Sequence, residues 1–343
     1  MRRALELATT PGVPLGPNPR VGCVLLDPDG REVAEGYHRG AGTPHAEAAA
    51  LREAGESARG TTAVVTLEPC HHTGRTGPCS QALIDAGVAR VVFAQADPNP
   101  VATGGEGALR AAGVEVSAGL LADQARALNR AWTFAMDRGR PFVTWKYAAT
   151  LDGRSAAADG SSRWITGEPA RRDVHRLRGE CDAILVGTAT VERDDPRLTV
   201  RDEVGDLLPH QPLRVVMGER DVVPDRRALD GHAETVHLRT HDPAEVLAAL
   251  HARGRQHVFL EGGPTVAAAF LRAGLVDEVV AYIAPKLLGS GSSAVADLGL
   301  SGIADAVDLT LVDVAQIGTD VRLTLTPTSS VELVETTPPK ESP

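Results

Sequence analysis

Residues 61–94 read TTAVVTLEPCHHTGRTGPCSQALIDAGVARVVFA, and this stretch decides the fold. Thr61 to Leu67 is a short apolar run rich in β-branched residues, the pattern of a buried strand. Pro78 to Ala86 starts on a proline and continues with helix formers, so a helix is expected there. Ala89 to Ala94 returns to a strand. Strand, helix and strand in alternation favour an α/β domain whose sheet is covered by helices on both faces.

Towards the amino terminus the alternation continues. Residues 2–9 make a short amphipathic helix stopped by Pro11-Gly12, and Val21 to Leu26 is an apolar strand. Asp27-Pro28-Asp29-Gly30 is a turn into a second strand, Glu32 to Tyr37, and an alanine-rich helix follows over 45–56. On the other side, helix 105–112 and strand 113–117 precede one longer helix over 120–138, which Gly139-Arg140-Pro141 ends. A domain boundary is expected at that point. Beyond it, strands are expected at 142–148, 182–186, 213–217 and 256–260, and helices at 169–178 and 264–273. Two β-rich stretches, 275–284 and 307–325, complete a second domain over 141–325. Residues 326–343, with four prolines and no periodic apolar face, read as a mobile tail.

A chain of 343 residues suits two domains. Hydrophobic residues make up 43% but aromatics only 3%, so the cores must be built from Ala, Val and Leu. With 35 Lys+Arg against 45 Asp+Glu the net charge is -10, which argues against a general nucleic-acid surface while leaving room for a local basic pocket. No apolar run is long enough for a membrane span, and the start of the chain lacks the apolar stretch of a secretory signal. Four cysteines do not make a disulfide scaffold, so a reducing cytoplasm is the expected setting.

Chemistry concentrates in His45-Ala46-Glu47, Glu68-Pro69-Cys70 and Pro78-Cys79. One imidazole and two thiolates form a three-ligand zinc site that leaves a fourth position for water. Glu47 follows His45 by two residues, where a helix start can aim both groups into one pocket, and its carboxylate suits proton transfer during deamination. Cys70 follows a strand's carboxyl end and Cys79 opens a helix, where free amides favour a thiolate. The bland alternative is a structural zinc site with His71 or His72 as fourth ligand. Asn18, between Pro17 and Pro19, is either a turn residue or a substrate-binding amide held by restricted neighbours. His72 and Arg75 either shape the substrate entrance or belong to a solvated loop.

The second half speaks less clearly. No Gly-x-Gly-x-x-Gly follows a strand, so the usual dinucleotide fingerprint is missing. Leu260-Glu261-Gly262-Gly263-Pro264-Thr265 sits at a strand-to-helix junction whose free amides suit a cofactor phosphate, or make an ordinary tight connection. Arg171, His175 and Arg178 form a cationic stripe on one helix, either solvated or facing a ligand. Residues 188–201 look too polar and proline-broken for a strand and read as a shaped binding loop, with Arg201 matched to a phosphate. Lys146 lies inside an apolar strand, where it either snorkels to solvent or orients a ligand.

These motifs resemble the bifunctional pyrimidine deaminase/reductase family of riboflavin biosynthesis over residues 1–325. The resemblance is carried by Pro17-Asn18-Pro19-Arg20-Val21-Gly22, His45-Ala46-Glu47, the Thr66–Cys79 loop and Asp97-Pro98-Asn99-Pro100 in the first half. In the second it is carried by Thr150-Leu151-Asp152-Gly153-Arg154, Ser162-Arg163-Trp164-Ile165-Thr166, Asp194-Asp195-Pro196, Glu261-Gly262-Gly263-Pro264-Thr265 and Ile283-Ala284-Pro285-Lys286. It implies a cytidine-deaminase-like α/β/α domain over 1–140 and a dihydrofolate-reductase-like α/β domain over 141–325. It also implies Zn2+ on His45, Cys70 and Cys79, Glu47 as proton donor, and Asn18 on the deaminase substrate.

In the reductase half it implies substrate contacts at Ser162, Arg178, Leu198, Arg201 and Glu261. The implied contacts to NADPH/NADP+ are Ala148, Trp164, Thr190, Asp194 and the run Gly263, Pro264, Thr265, Val266, Ala267, Ala268 and Ala269. Arg163 stands where Gln is frequent in the family. The expected partner is a phosphoribosylated pyrimidine, with no nucleic acid or membrane and with a homo-oligomer possible.

Overall fold

The computed structural model describes residues 1–13, 16–72 and 77–328. The chain forms two compact units, the first ending at Arg140 and the second starting at Pro141.

In the first unit α1 (Arg2–Ala8) precedes β1 (Gly22–Leu26), β2 (Glu32–Tyr37), α2 (Ala46–Ala54), β3 (Thr62–Leu67), α3 (Cys79–Asp85), β4 (Arg90–Gln95), α4 (Gly105–Ala111) and β5 (Glu115–Ala118). Two helices, α5 (Ala122–Leu128) and α6 (Arg130–Arg138), close it. The sheet order is β2-β1-β3-β4-β5, with β1 antiparallel to both neighbours and β3, β4 and β5 parallel. Cys23, Val65 and Phe93 lie side by side across three strands and share one core with Ala46 and Ala50 of α2. Small side chains let the helix approach closely: a Cβ on Gly36 of β2 would lie 2.4 Å from the Ala46 carbonyl oxygen. That contact seats the start of α2, where His45 and Glu47 are.

The single helix expected over 120–138 is two helices. Asn129, 5% exposed, breaks them because its side chain is bonded to the backbone of Arg20 and its own φ of -109 leaves the helical range.

The second unit comprises β6 (Phe142–Thr150), β7 (Arg154–Ala156), α7 (Glu168–Arg178), β8 (Ala183–Gly187), α8 (Thr188–Asp194), β9 (Leu213–Met217), β10 (Thr235–Leu238), α9 (Pro243–Ala252) and β11 (His257–Leu260). It continues with α10 (Pro264–Arg272), β12 (Glu278–Ala284), β13 (Ser292–Ser293), β14 (Leu309–Ile317) and β15 (Asp320–Pro327). Eight strands form one sheet in the order β10-β9-β8-β11-β6-β12-β15-β14, while β13 and β7 pair separately. The strands from β10 to β12 run parallel, and β15 and β14 return antiparallel. In β8, Ala183 and Leu185 pack with residues of α9 and α10, while Ile184 and Val186 pack with α7 and α8. Alternating side chains thus bury both faces, which is why the strand reads as an unbroken apolar run.

Residues 188–194 are helical rather than part of a loop. Thr188 and Val191, three apart and both buried, supply the inward face that the polar composition hid. The irregular segment starts at Asp195, which takes a φ of 41 and ends the helix. β15 extends to Pro327, opposite Leu309, so the sheet includes two residues expected in the tail. Positions 329–343 of that tail lie outside the described residues.

Candidate active sites

Three local endings converge in the first unit. His45 has extended backbone just before α2, Cys70 follows the carboxyl end of β3, and Cys79 is the first residue of α3. The His45 Nδ1 atom lies 3.6 Å from Cys70 Sγ and 3.3 Å from Cys79 Sγ, and the ligand atoms of all three lie within 4.8 Å of one another. Tetrahedral zinc, with bonds of about 2.3 Å to sulfur and about 2.0 Å to nitrogen, separates such ligand atoms by roughly 3.5–3.8 Å. The donor set therefore fits zinc. The Cys79 backbone N–H also donates to Cys70 Sγ at 3.5 Å. Hydrogen bonds from Cys79 and His45 bring the Cys70 thiol down to about 4, while sharing a proton with that thiolate pushes Cys79 up.

Glu47, 4% exposed, stands beside the cluster and accepts a hydrogen bond from the Cys79 thiol. Burial dominates its environment and raises its carboxyl to about 7. Behind the ligands, Glu68 accepts from the backbone N–H of Glu106 at 3.0 Å and of Asp97 at 3.3 Å, tying the Cys70 turn to α4. Ser80 donates its hydroxyl to the Cys70 carbonyl at 3.1 Å. Asn18 meets His38 at 3.0 Å, and His38 packs edge-on against His45. His71 bonds Ser80 rather than approaching the ligands, so it does not act as a fourth one. Arg75 lies outside the described residues.

The second unit has a cleft of about 360 Å³ at the carboxyl ends of its parallel strands. Lys146, Ala148, Ser162, Trp164, Thr190, Asp194 and Glu261 line it, together with Gly263, Pro264, Thr265 and Val266 at the start of α10. A Cβ on Gly262 would lie 2.8 Å from Val266, so glycine is needed where α10 leaves β11. Farther along α10, Ala267 and Ala268 are 0% and 1% exposed and point into the core, and Ala269 is outside the cleft lining. The first turn alone faces the cleft.

Glu261 accepts two hydrogen bonds from Arg178, at 2.5 and 2.9 Å. Burial pushes the Glu261 carboxyl up, but the charge and hydrogen bonds of Arg178, helped by Lys146, outweigh it and bring it down to about 2. Lys146 is lowered by its own burial, with Glu261 acting against that shift. The Leu198 side chain is 2% exposed in the core at a φ of 51, so it has only backbone to offer a ligand. Arg201 donates to the Gly205 carbonyl at 2.6 Å and is not among the cleft-lining residues. Arg163 donates to the Asp194 carbonyl and so links the Ser162–Trp164 turn to α8.

The RibD C-terminal domain matches residues 141–323, and the cytidine and deoxycytidylate deaminase zinc-binding region matches residues 1–95. The riboflavin biosynthesis protein RibD of Mycobacterium tuberculosis is 53% identical over 310 residues, covering 90% of this chain and 91% of its own. The chain belongs to the RibD family. The RibD of Escherichia coli K12 is 44% identical over 95% of this chain and 98% of its own. Among solved structures, form 1 of Acinetobacter baumannii RibD superposes with a TM-score of 0.89 at 40% identity, covering 96% of this chain and 98% of that one. A Thermotoga maritima diaminohydroxyphosphoribosylaminopyrimidine deaminase/5-amino-6-(5-phosphoribosylamino)uracil reductase gives 0.86 at 34% identity, covering 95% and 97%. The chain is a bifunctional enzyme of riboflavin biosynthesis, with a zinc-dependent deaminase in its first unit and an NADPH-dependent reductase in its second.

Several supporting contacts in the chain had no sequence signal. Glu68 lies inside a recognised motif, yet its bonds to residues 97 and 106 are visible only in space. His38 and Asn129 lie in no motif at all. Arg193 lines the reductase cleft and is exposed, but it sits in a stretch that reads as uniformly polar.

Proposed function

We propose that the first unit hydrolyses the 2-amino group of 2,5-diamino-6-(5-phosphoribosylamino)pyrimidin-4(3H)-one. The second then reduces the resulting 5-amino-6-(5-phosphoribosylamino)uracil to its ribitylamino form with NADPH. The convergence of His45, Cys70 and Cys79 beside the buried Glu47 carries the reading. The activities named for the Thermotoga maritima neighbour support the choice of substrates.

Zinc held by the three ligands supplies the Lewis acid that makes water nucleophilic near neutral pH. Glu47, with its carboxyl near 7, takes a proton from the attacking water and passes it to the pyrimidine ring nitrogen. It then assists departure of the amine, so that a C2–O bond forms, the C2–N bond breaks and ammonia leaves. Asn18 holds the pyrimidine through its amide.

In the second unit, Ala148, Trp164, Thr190, Asp194 and the Gly263–Ala269 segment hold the cofactor, which supplies the hydride when bound. Gly263, Pro264, Thr265 and Val266 meet it directly, and Ala267, Ala268 and Ala269 secure the helix behind them. Ser162, Arg178, the Leu198 backbone, Arg201 and Glu261 bind the phosphoribosyl substrate, with the Arg201 fork taking the phosphate. Lys146, half-buried in the cleft lining near Glu261, orients the sugar for hydride transfer.

The four cysteines are all free, which suits work in the cytoplasm. No helix among the described residues is long and apolar enough to cross a membrane. Self-association belongs to the same proposal. β14 is the outer edge of the large sheet, and its Leu311, Val312 and Val314 are 55%, 61% and 54% exposed, a row suited to pairing with a second copy. A monomeric mass by light scattering would remove that part.

The main test measures bound zinc, ammonia release and substrate-dependent NADPH oxidation in one preparation of Glu47→Gln. Zinc and cofactor binding are expected to persist, with ammonia release reduced by about 10²–10⁴. Release at the wild-type rate would exclude Glu47 from proton transfer.

A further inference from the structure

Both ring nitrogens of His38 are engaged, and the ring is 5% exposed. Nδ1 lies 3.1 Å from the Pro44 carbonyl oxygen, and Nε2 lies 3.0 Å from Asn18 Nδ2. A carbonyl oxygen only accepts, so the hydrogen is on Nδ1. Neither partner is an anion, so neither bond rewards a buried imidazolium. In the neutral ring Nε2 is then a bare lone pair, and it must be met by a donor. On Asn18 only the NH2 group is one. The same imidazole packs edge-on against His45, with ring centroids 5.5 Å apart, so the Asn18–His38 pair lies directly against a metal ligand. The Asn18 carbonyl oxygen has no hydrogen-bond partner among the described residues.

We propose that His38 is a positioning residue of the deaminase: Pro44 fixes its tautomer, its bare Nε2 captures one Asn18 N–H, and Asn18 Oδ1 is thereby left to accept from an N–H of the pyrimidine. The proposal rests on the reading of Asn18 as a substrate contact. It narrows the ligand class to pyrimidinones that present a donor at that edge, a ring N–H or an exocyclic amine. A ring offering only a lone pair there would meet the Asn18 oxygen without a hydrogen between them.

The test uses the full-length, zinc-loaded protein labelled with ring-15N histidine. The His38 signals, assigned by their absence from His38→Gln, are expected to show a protonated Nδ1 and an unprotonated Nε2. The opposite tautomer, or a doubly protonated ring, overturns the proposal. Kinetics provide the second arm, with zinc content measured in every variant. His38→Phe keeps a ring but offers no nitrogen, and kcat/KM for ammonia release should fall about tenfold, mainly through KM. His38→Gln, whose amide oxygen can stand in for Nε2, should recover most of that loss.

Asn18→Ala and the double variant Asn18→Ala/His38→Phe separate the two readings. A double variant no worse than Asn18→Ala is expected, and losses that simply add overturn the proposal. If Asn18→Ala matches wild type, the substrate contact itself is wrong and this inference falls with it. If Asn18→Ala is impaired while His38→Phe matches wild type, the substrate contact stands and the positioning role alone is lost.

Discussion

The Asn129 side chain pairs with both backbone polar groups of Arg20, its Oδ1 accepting from the Arg20 N–H at 2.8 Å and its Nδ2 donating to the Arg20 carbonyl at 2.9 Å. An amide thus plays the part of a neighbouring strand for a segment that lies outside the sheet. Asn18 is two residues away, so the same clamp sets where its side chain begins. Asn129→Ala removes both of these bonds from a partly buried backbone segment, at a cost of about 1–3 kcal/mol. Ammonia release is expected to fall about tenfold through a higher KM, with zinc content and NADPH oxidation on supplied uracil substrate unchanged. An unaltered KM would show that the Arg20 segment holds its place without Asn129.

How much of this was legible beforehand depended on how far each residue's role reaches along the chain. His45, Cys70 and Cys79 could be found because few residue types bind zinc and each stands at the end of a recognisable element. Asn129 could not, because its partner is 109 residues away and is backbone, which carries no side-chain signature. His38 was hidden for a related reason: its tautomer depends on a carbonyl at Pro44, and any residue can supply a carbonyl. In α8, threonines, acids and an arginine obscured a helix whose buried contacts come from Thr188 and Val191. Along α10 the family resemblance extends through Ala269, yet helical rotation turns Ala267 and Ala268 to the core.

Metal removal should divide the two activities. A chelator strong enough to strip the His45–Cys70–Cys79 site removes the positive charge that keeps two nearby thiolates compatible with the buried Glu47. Ammonia release is expected to disappear, and reduction of added 5-amino-6-(5-phosphoribosylamino)uracil by NADPH to continue. Zinc alone should restore deamination. Equal loss of both activities on chelation would contradict separate sites.

Arg214 is fully buried in β9 and donates to the Asp230 carboxylate at 2.9 Å and to the carbonyls of Asp230, Ala233, Arg197 and Arg227. One guanidinium therefore holds the segment after Asp195 against residues 227–233. Arg214→Met keeps much of the volume but leaves Asp230 only the longer, solvent-exposed pair with Arg197 at 3.4 Å, and several carbonyls lose their guanidinium donor. A loss of roughly 3–5 kcal/mol is expected, read as earlier denaturant unfolding of the second unit. An unshifted midpoint would mean that water replaces the guanidinium at little cost.

Acid should reach the second unit through Glu261. Its carboxyl titrates at about 2 in the folded chain against an ordinary 4.5, because Arg178 and Lys146 favour the charged form over the opposing effect of burial. A lowered carboxylate pKa stabilises the fold fully above the unfolded value, and that contribution fades as pH falls from about 4.5 towards 2. The difference corresponds to roughly 3 kcal/mol. In Glu261→Gln this titration is absent: the variant starts less stable at neutral pH, because Arg178 loses its anion, yet its unfolding midpoint should decline less steeply over the same acid range. Parallel pH profiles for the two proteins would show that the Arg178–Glu261 pair contributes no proton-linked stability.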